Sequence, residues 1–497
     1  MSTLKTNRIS PVKWIFVGLL FVCTGVEAQI KLPKVLSSNM VLQRSAQVNL
    51  WGWSNKNEKV TITGSWLDES VRTKADKSGK WIVSIPTTDS KDPQSIRISD
   101  SSSEIALSNV VFGEVWLCSG QSNMERTLKG TRGEPILHSS QTIAHSTNPN
   151  LRLFTIERNY AQTPEDDLGA VQSWSEANPS TVADFSAVAY HFGSQLQEIL
   201  GVPVGLIYSS WGGSDIVAWM GEDELRNHFS FDLNDYEIKE DWDARKVPTV
   251  LFNSMIYPIK HFSIKGAIWY QGESNRNNPA AYRKLLPAMV ANWRSLWKQG
   301  DFPFYYVQIA PFDYRKTDAY KAPDNSAFLR EAQFLALKEI PNSGIAITMD
   351  IGKEDNIHPP FKKEVGDRLL YQALNKTYDF KAVDADGPTY KSMEIKQDSL
   401  ILSFDHAENG MYAPSELANF EIAGSDRIFY PATAKFIERK SKIILKSDQV
   451  PNPKAGRYGW NNWVQGSLFD SSLLPASSFR TDDWEDATKA LLNKEAE

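Results

Sequence analysis

Between Ile30 and Val110 apolar positions come in short runs of β-forming residues, and turn residues separate the runs at close spacing. Residues 48–53, 60–63, 80–85 and 95–99 are such runs; Ser54-Asn55-Lys56-Asn57 and Asp76-Lys77-Ser78-Gly79 are such breaks. The pattern predicts a β-sandwich of modest size over residues 29–110. From Val111 the rhythm changes to apolar strands alternating with helical periodicity. Val188, Phe192, Leu196 and Ile199 recur at helical spacing and stop at Gly201, after which 204–208 reads as a buried strand. Residues 264–270 predict another strand, followed by a helix through Tyr282, Leu286, Met289, Trp293 and Leu296 that Pro287 should kink. Strands at 304–309 and 345–349 and a helix through Val365, Leu369 and Ala373 complete a three-layer α/β/α domain with a parallel sheet over 111–383. After Asp384 the β pattern returns at 399–404 and 441–445, predicting a C-terminal β-rich domain over 384–497.

The first 28 residues do not belong to this scheme. Lys5, Arg8 and Lys13 precede an apolar run at 14–23 and a small residue, Ala28, which together read as a secretory signal peptide. An exported protein, periplasmic or extracellular, is expected. No later segment approaches about 18 uninterrupted apolar residues, so no membrane span is expected. Loss of residues 1–28 removes three basic side chains and one acidic one, moving the formal charge from −6 to −8. That mild acidity argues against nucleic acid as a partner. Of the two cysteines only Cys118 remains in the mature chain, and its apolar strand makes it a small core residue.

Three predicted strands end in Gly-x-Ser followed by Asn or Asp. These are Gly120-Gln121-Ser122-Asn123, Gly212-Gly213-Ser214-Asp215 and Gly272-Glu273-Ser274-Asn275. Parallel sheets bind ligands at such strand ends, and glycine lets a substrate approach the backbone. The three serines are equal candidates for a nucleophile. A serine nucleophile needs a base, usually a His oriented by a carboxylate. Of seven His only His358 has an acid three residues before it, in Asp355-Asn356-Ile357-His358, between the last strand and a helix. No His-Glu-x-x-His, cysteine cluster or helical His pair suggests a metal, and no glycine-rich phosphate loop follows a strand.

Together Gly120-Gln121-Ser122-Asn123-Met124, the run 205–213, Trp269-Tyr270-Gln271-Gly272-Glu273-Ser274-Asn275 and Asp355-Asn356-Ile357-His358 resemble the sialate O-acetylesterase family of SGNH hydrolases. Arg457-Tyr458-Gly459-Trp460 and the segment 475–484 extend the resemblance close to full length. It implies Ser122 as nucleophile, His358 as general base and acid, and Asp355 as the orienting carboxylate. It also implies an oxyanion hole from the Ser122 N–H, an N–H of Gly212 or Gly213, and the Gln271 amide, with Asn123 and Glu273 in support. The implied substrate is an acetylated carbohydrate, and no cofactor is needed. Two other readings stay open: an acetylesterase acting on acetylated xylan or xyloglucan, and a non-catalytic carbohydrate-binding protein. Trp211, Trp219 and Tyr270 are candidate sugar-stacking rings.

Overall fold

The computed structural model describes residues 29–229, 233, 243–316 and 325–484. The expected export signal lies outside the described residues. Among the described residues thirteen strands precede the C-terminal region: β1 (Val41–Gln43), β2 (Gln47–Trp53), β3 (Lys59–Gly64), β4 (Val71–Lys74), β5 (Lys80–Pro86), β6 (Gln94–Ser99), β7 (Glu104–Gly120), β8 (Asn148–Ile156), β9 (Val171–Ala177), β10 (Val204–Ser210), β11 (Gly266–Tyr270), β12 (Phe304–Val307) and β13 (Ser343–Ala346).

The central sheet has the order β13-β12-β11-β7-β10-β8-β9. Every pair in it is parallel except β8 with β9 at one edge. Away from the β9 edge its strands are largely buried on both faces, and successive side chains alternate between two helical layers. Trp116, Cys118, Leu206, Ile268 and Tyr305 pack against Val188, Phe192 and Leu196 of helix Ala187–Leu200 and Val365 and Leu369 of helix Lys362–Lys376. Leu117, Ile207, Trp269, Phe304 and Tyr306 face the other way, toward Leu286, Met289 and Trp293 of helix Pro279–Trp297. That helix runs through Pro287 as one element of 19 residues, with Ala327–Ala336 beside it.

The boundary expected at residue 110 falls inside β7. This single strand of 17 residues pairs with β6 at one end and with β10 and β11 at the other. The N-terminal strands therefore do not form a separate unit: Val48, Leu50, Ile62 and Ile98 share one continuous core with Leu117, Trp219 and Trp293. A shared strand and a shared core bury more apolar surface than two small cores would.

The C-terminal region builds two antiparallel four-stranded sheets. Strands Thr389–Lys396, Ser399–Asp405, Lys442–Lys446 and Thr433–Ile437 form one; Phe429–Pro431, Phe420–Ala423, Ala455–Tyr458 and Phe479–Arg480 form the other. They close over their own core of Leu400, Leu402, Ile422, Ile443, Leu445 and Tyr458. Arg330, fully buried on helix Ala327–Ala336, ties this region to the central layer. Its guanidinium donates to the carbonyls of Gly459 (3.0 Å) and Asn461 (2.6 Å) and to Ser478 Oγ (3.1 Å).

Candidate active site

Strand order brings the three Gly-x-Ser turns together. β7 lies between β10 and β11, and at its last residue Gly120 is in register with Ser210 on one side and Tyr270 on the other. A Cβ at Gly120 would sit 2.2 Å from the Tyr270 carbonyl oxygen, so only glycine lets β7 and β11 approach this closely. Beyond it Ser122 opens a single helical turn, Ser122–Glu125. Ser186, the cap of helix Ala187–Leu200, donates its hydroxyl to the Met124 carbonyl at 2.6 Å and anchors that turn. β13 stands at the sheet edge, yet the segment that follows it crosses back to the β7 end. There the Ile357 carbonyl accepts a hydrogen bond from Asn123 Nδ2 at 3.1 Å.

This crossing sets His358 Nε2 at 2.9 Å from Ser122 Oγ. The carboxylate on the other ring nitrogen is not the expected one. Nδ1 lies 2.8 Å from Glu134 Oε1, whereas Asp355 is exposed and no described hydrogen bond joins it to His358. The backbone explains the exchange: Asn356 Oδ1 accepts the His358 N–H at 2.8 Å, and the bend around 354–358 leaves Asp355 facing solvent. Glu134 closes a tight loop in which it exchanges backbone hydrogen bonds with Thr131, and Leu137 just beyond it donates to the Pro360 carbonyl. Because a carboxylate only accepts, the Glu134 contact calls for a proton on Nδ1, which leaves Nε2 to accept from the Ser122 hydroxyl, whereas the donor-only Arg126 guanidinium favours the opposite tautomer. Arg126 pairs with Glu134 Oε2 at 2.6 Å and lies beside the ring, 2.7 Å from Nδ1. Burial pushes the imidazole down to about 4, the hydrogen bond to Glu134 works in the opposite direction, and the Arg126 charge adds to the lowering. The ring is therefore neutral near pH 7 and able to take a proton.

The other predicted site residues divide. Gly212 packs on Ser122: a Cβ there would be 3.2 Å from Ser122 Cβ. Its N–H donates to Glu125 Oε2 at 3.0 Å, while the Gly213 N–H enters no described hydrogen bond. Gln271 does not reach the site as a donor. It is fully buried, and its amide gives both hydrogens away, to the Ser214 carbonyl (3.0 Å) and Asn275 Oδ1 (2.7 Å). Gln271 instead braces one turn against the next. Ser214 is buried, its hydroxyl accepting from Trp219 Nε1 at 2.9 Å, and Ser274 N–H donates to Gln121 Oε1 at 3.3 Å. No described hydrogen bond joins either serine to a histidine. Asn123 donates to Glu273 Oε1 at 2.5 Å and accepts from Lys362 Nζ at 2.5 Å. Burial raises the Glu273 carboxyl above its usual range.

Ser122 and His358 line a cleft of about 610 Å³. Arg126, Arg132, Arg158, Arg245, Lys246 and Arg276 also line it, against two acidic residues, Glu125 and Glu273. Sequence patterning did not single out these cations, because they come from segments far apart in the chain. Trp211 lines the cleft and has Tyr160 beside it, ring centroids 6.4 Å apart. Trp219 and Tyr270, the other two aromatic candidates, are completely buried. Among the described residues no group of three or more His, Cys, Asp or Glu side chains is placed to hold a metal ion. No helix among them is long and apolar enough to cross a membrane.

Residues 112–375 match a family model described as a carbohydrate esterase, sialic acid-specific acetylesterase. Sialate O-acetylesterase of Rattus norvegicus is 27% identical over 522 residues, covering 92% of this chain and 95% of that protein. The Homo sapiens sialate O-acetylesterase is 28% identical over 494 residues, covering 90% and 92%. The crystal structure of a carbohydrate acetylesterase from Xanthomonas citri superposes with a TM-score of 0.83 at 32% identity, over 92% of this chain and 100% of that one. The matched segment carries the strand ends, the serine and the histidine described above and spans more than half of the molecule; the chain belongs to the sialic acid-specific acetylesterase family of carbohydrate esterases.

Proposed function

We propose that this chain is a serine esterase that removes O-acetyl groups from sugars, with an acidic sugar of the sialic acid type as its substrate. The observation that carries the reading is the Ser122–His358 pair, 2.9 Å apart, in a cleft lined by six cationic side chains, four of them paired with carboxylates: Arg126 with Glu134, Arg158 with Glu125, Arg245 with Asp243 and Lys246 with Asp215. A sugar carboxylate entering the cleft would exchange into such pairs and leave the neutral ester to the nucleophile.

In the proposed reaction His358 Nε2 takes the Ser122 proton as Oγ attacks the acetyl carbonyl, and Glu134 holds the imidazolium that forms. His358 then protonates the departing sugar oxygen; water, activated by the same ring, releases acetate from Ser122. We assign the oxyanion to the N–H groups of Ser122 and Gly212. The Gly212 N–H already holds an anionic oxygen beside the nucleophile, that of Glu125, whose other oxygen pairs with Arg158 at 2.5 Å. The assignment requires that an entering substrate displace this carboxylate.

The test is acetate release from 9-O-acetylated sialic acid and from acetylated xylo-oligosaccharides, with Ser122→Ala as control. Faster turnover of the acidic sugar, lost in Ser122→Ala, supports the proposal; trace sialate activity beside strong xylan activity overturns the substrate. The Trp211 and Tyr160 rings are compatible with that second reading, since they would stack on a neutral sugar equally well. We also propose that residues 1–28 direct export; an N-terminus other than Gln29 or its neighbours on the mature protein would refute this.

A further inference from the structure

Lys362 is 1% exposed, yet nothing in helix physics calls for a lysine there. It is the first residue of helix Lys362–Lys376, where a positive charge opposes the helix dipole. Burying an ammonium is unfavourable unless it is paired and hydrogen-bonded. Burial pushes it down to about 7, and Glu273 works against that lowering. A side chain that breaks two local rules at once marks a functional constraint.

Its partner supplies the reason. Lys362 Nζ donates to Asn123 Oδ1 at 2.5 Å, and Asn123 directly follows the nucleophile. An ammonium has donors and no acceptor, so it fixes which end of the Asn123 amide faces it. The Nδ2 end is thereby sent to two groups that only accept, Glu273 Oε1 at 2.5 Å and the Ile357 carbonyl at 3.1 Å. Ile357 precedes His358. One amide thus joins the turn after β7, the turn after β11 and the segment carrying the base, and Lys362 sets its orientation.

We infer that Lys362 is a positioning residue for the esterase reaction, fixing the Asn123 amide so that the Ser122 turn and the His358 segment are held in register. The inference rests on the reading of Ser122 and His358 as nucleophile and base. Glu273, Arg126, Glu134 and the Tyr270 ring, 5.7 Å away, are the other groups around the ammonium.

A purely structural role predicts something different. If Lys362 only neutralises Glu273, then Lys362→Met leaves a buried carboxylate unpaired, and adding Glu273→Gln should restore stability and turnover together. If Lys362 positions Asn123, the double variant recovers stability while kcat stays low, since Asn123 Oδ1 still lacks its donor and the amide is free to turn over. Misplacement of about 1 Å lowers rates by about 10²-fold. The experiment measures Tm, kcat and KM for the wild type, Lys362→Met, Glu273→Gln and Lys362→Met/Glu273→Gln, with p-nitrophenyl acetate as probe. A double variant with near wild-type Tm and KM and kcat about 10²-fold below that of Glu273→Gln alone supports the inference. Recovery of kcat along with Tm overturns it. Ser122→Ala is assayed in parallel: retained activity there would sink the underlying site assignment, a result distinct from either outcome for Lys362.

Discussion

Glu134→Gln tests the carboxylate that the fold, rather than the sequence spacing, puts on His358. The substitution keeps the shape of the side chain and replaces an acceptor-only group by an amide that can donate to Nδ1. An amide donating there would favour the tautomer with its proton on Nε2, which cannot accept from Ser122. In a fully enclosed triad the equivalent exchange lowers kcat by about 10⁴-fold. Glu134 is less enclosed: its side chain is 25% exposed and its second oxygen is shared with Arg126 at 2.6 Å. Water can take over part of its role, so a loss of about 10²–10³-fold is expected, or about 3–4 kcal/mol of transition-state stabilisation. Asp355→Asn, an exposed side chain with no described hydrogen bond to His358, is expected to stay within about threefold of wild type. The assay is kcat/KM for p-nitrophenyl acetate between pH 3 and 8. Glu134 raises the His358 pKa, so its removal should also move the acidic limb of the profile to lower pH. Full activity in Glu134→Gln together with a loss of 10² or more in Asp355→Asn would refute the reasoning.

The fold should lose stability in mild acid. Burial lowers His191, His261 and His358 from an ordinary 6.5 to about 4, so the unfolded chain binds more protons between those values; stability then rises with pH across that window and is lost as pH falls from 6.5 toward 4. Urea midpoints at pH 7, 5.5 and 4.5 that stay constant would contradict this. Arg330→Met should cost about 3 kcal/mol or more, because buried acceptors of Gly459, Asn461 and Ser478 lose their donor, and a shift in denaturation midpoint measures it. Gly120→Ala should destabilise by about 2 kcal/mol or more and reduce turnover, since the new Cβ must displace the Tyr270 carbonyl from 2.2 Å at a φ of +140°. An active Gly120→Ala enzyme with wild-type Tm would show that β7 and β11 separate at no cost.

Much of the fold was legible locally. Runs such as 204–208 and 304–309 are apolar on both faces because two helical layers cover the sheet, and this leaves a signal in the composition of each strand. Gly-x-Ser at a strand end is equally local: the strand, the turn and the close backbone approach are all written within eight residues. The N-terminal region shows where local reading stops. Its strands have the rhythm of a sandwich, but β7 runs on without a break, and no residue near 110 marks that the same strand serves two sheets.

By itself, then, the sequence determined the strands and the turns, and it offered His358 as a candidate base and Ser122, through the family resemblance, as a candidate nucleophile. Tertiary structure decided their partners. Gln271 carries an amide suited to an oxyanion, yet both its hydrogens are taken by Ser214 and Asn275, groups whose proximity depends on which turns the sheet sets side by side. Asp355 has the right spacing, yet Glu134 from a loop 224 residues away in sequence makes the contact. The physical reason is the short range of a hydrogen bond: a donor or acceptor is spoken for only by atoms within about 3 Å, and those atoms are chosen by strand order and loop crossings that no local pattern encodes.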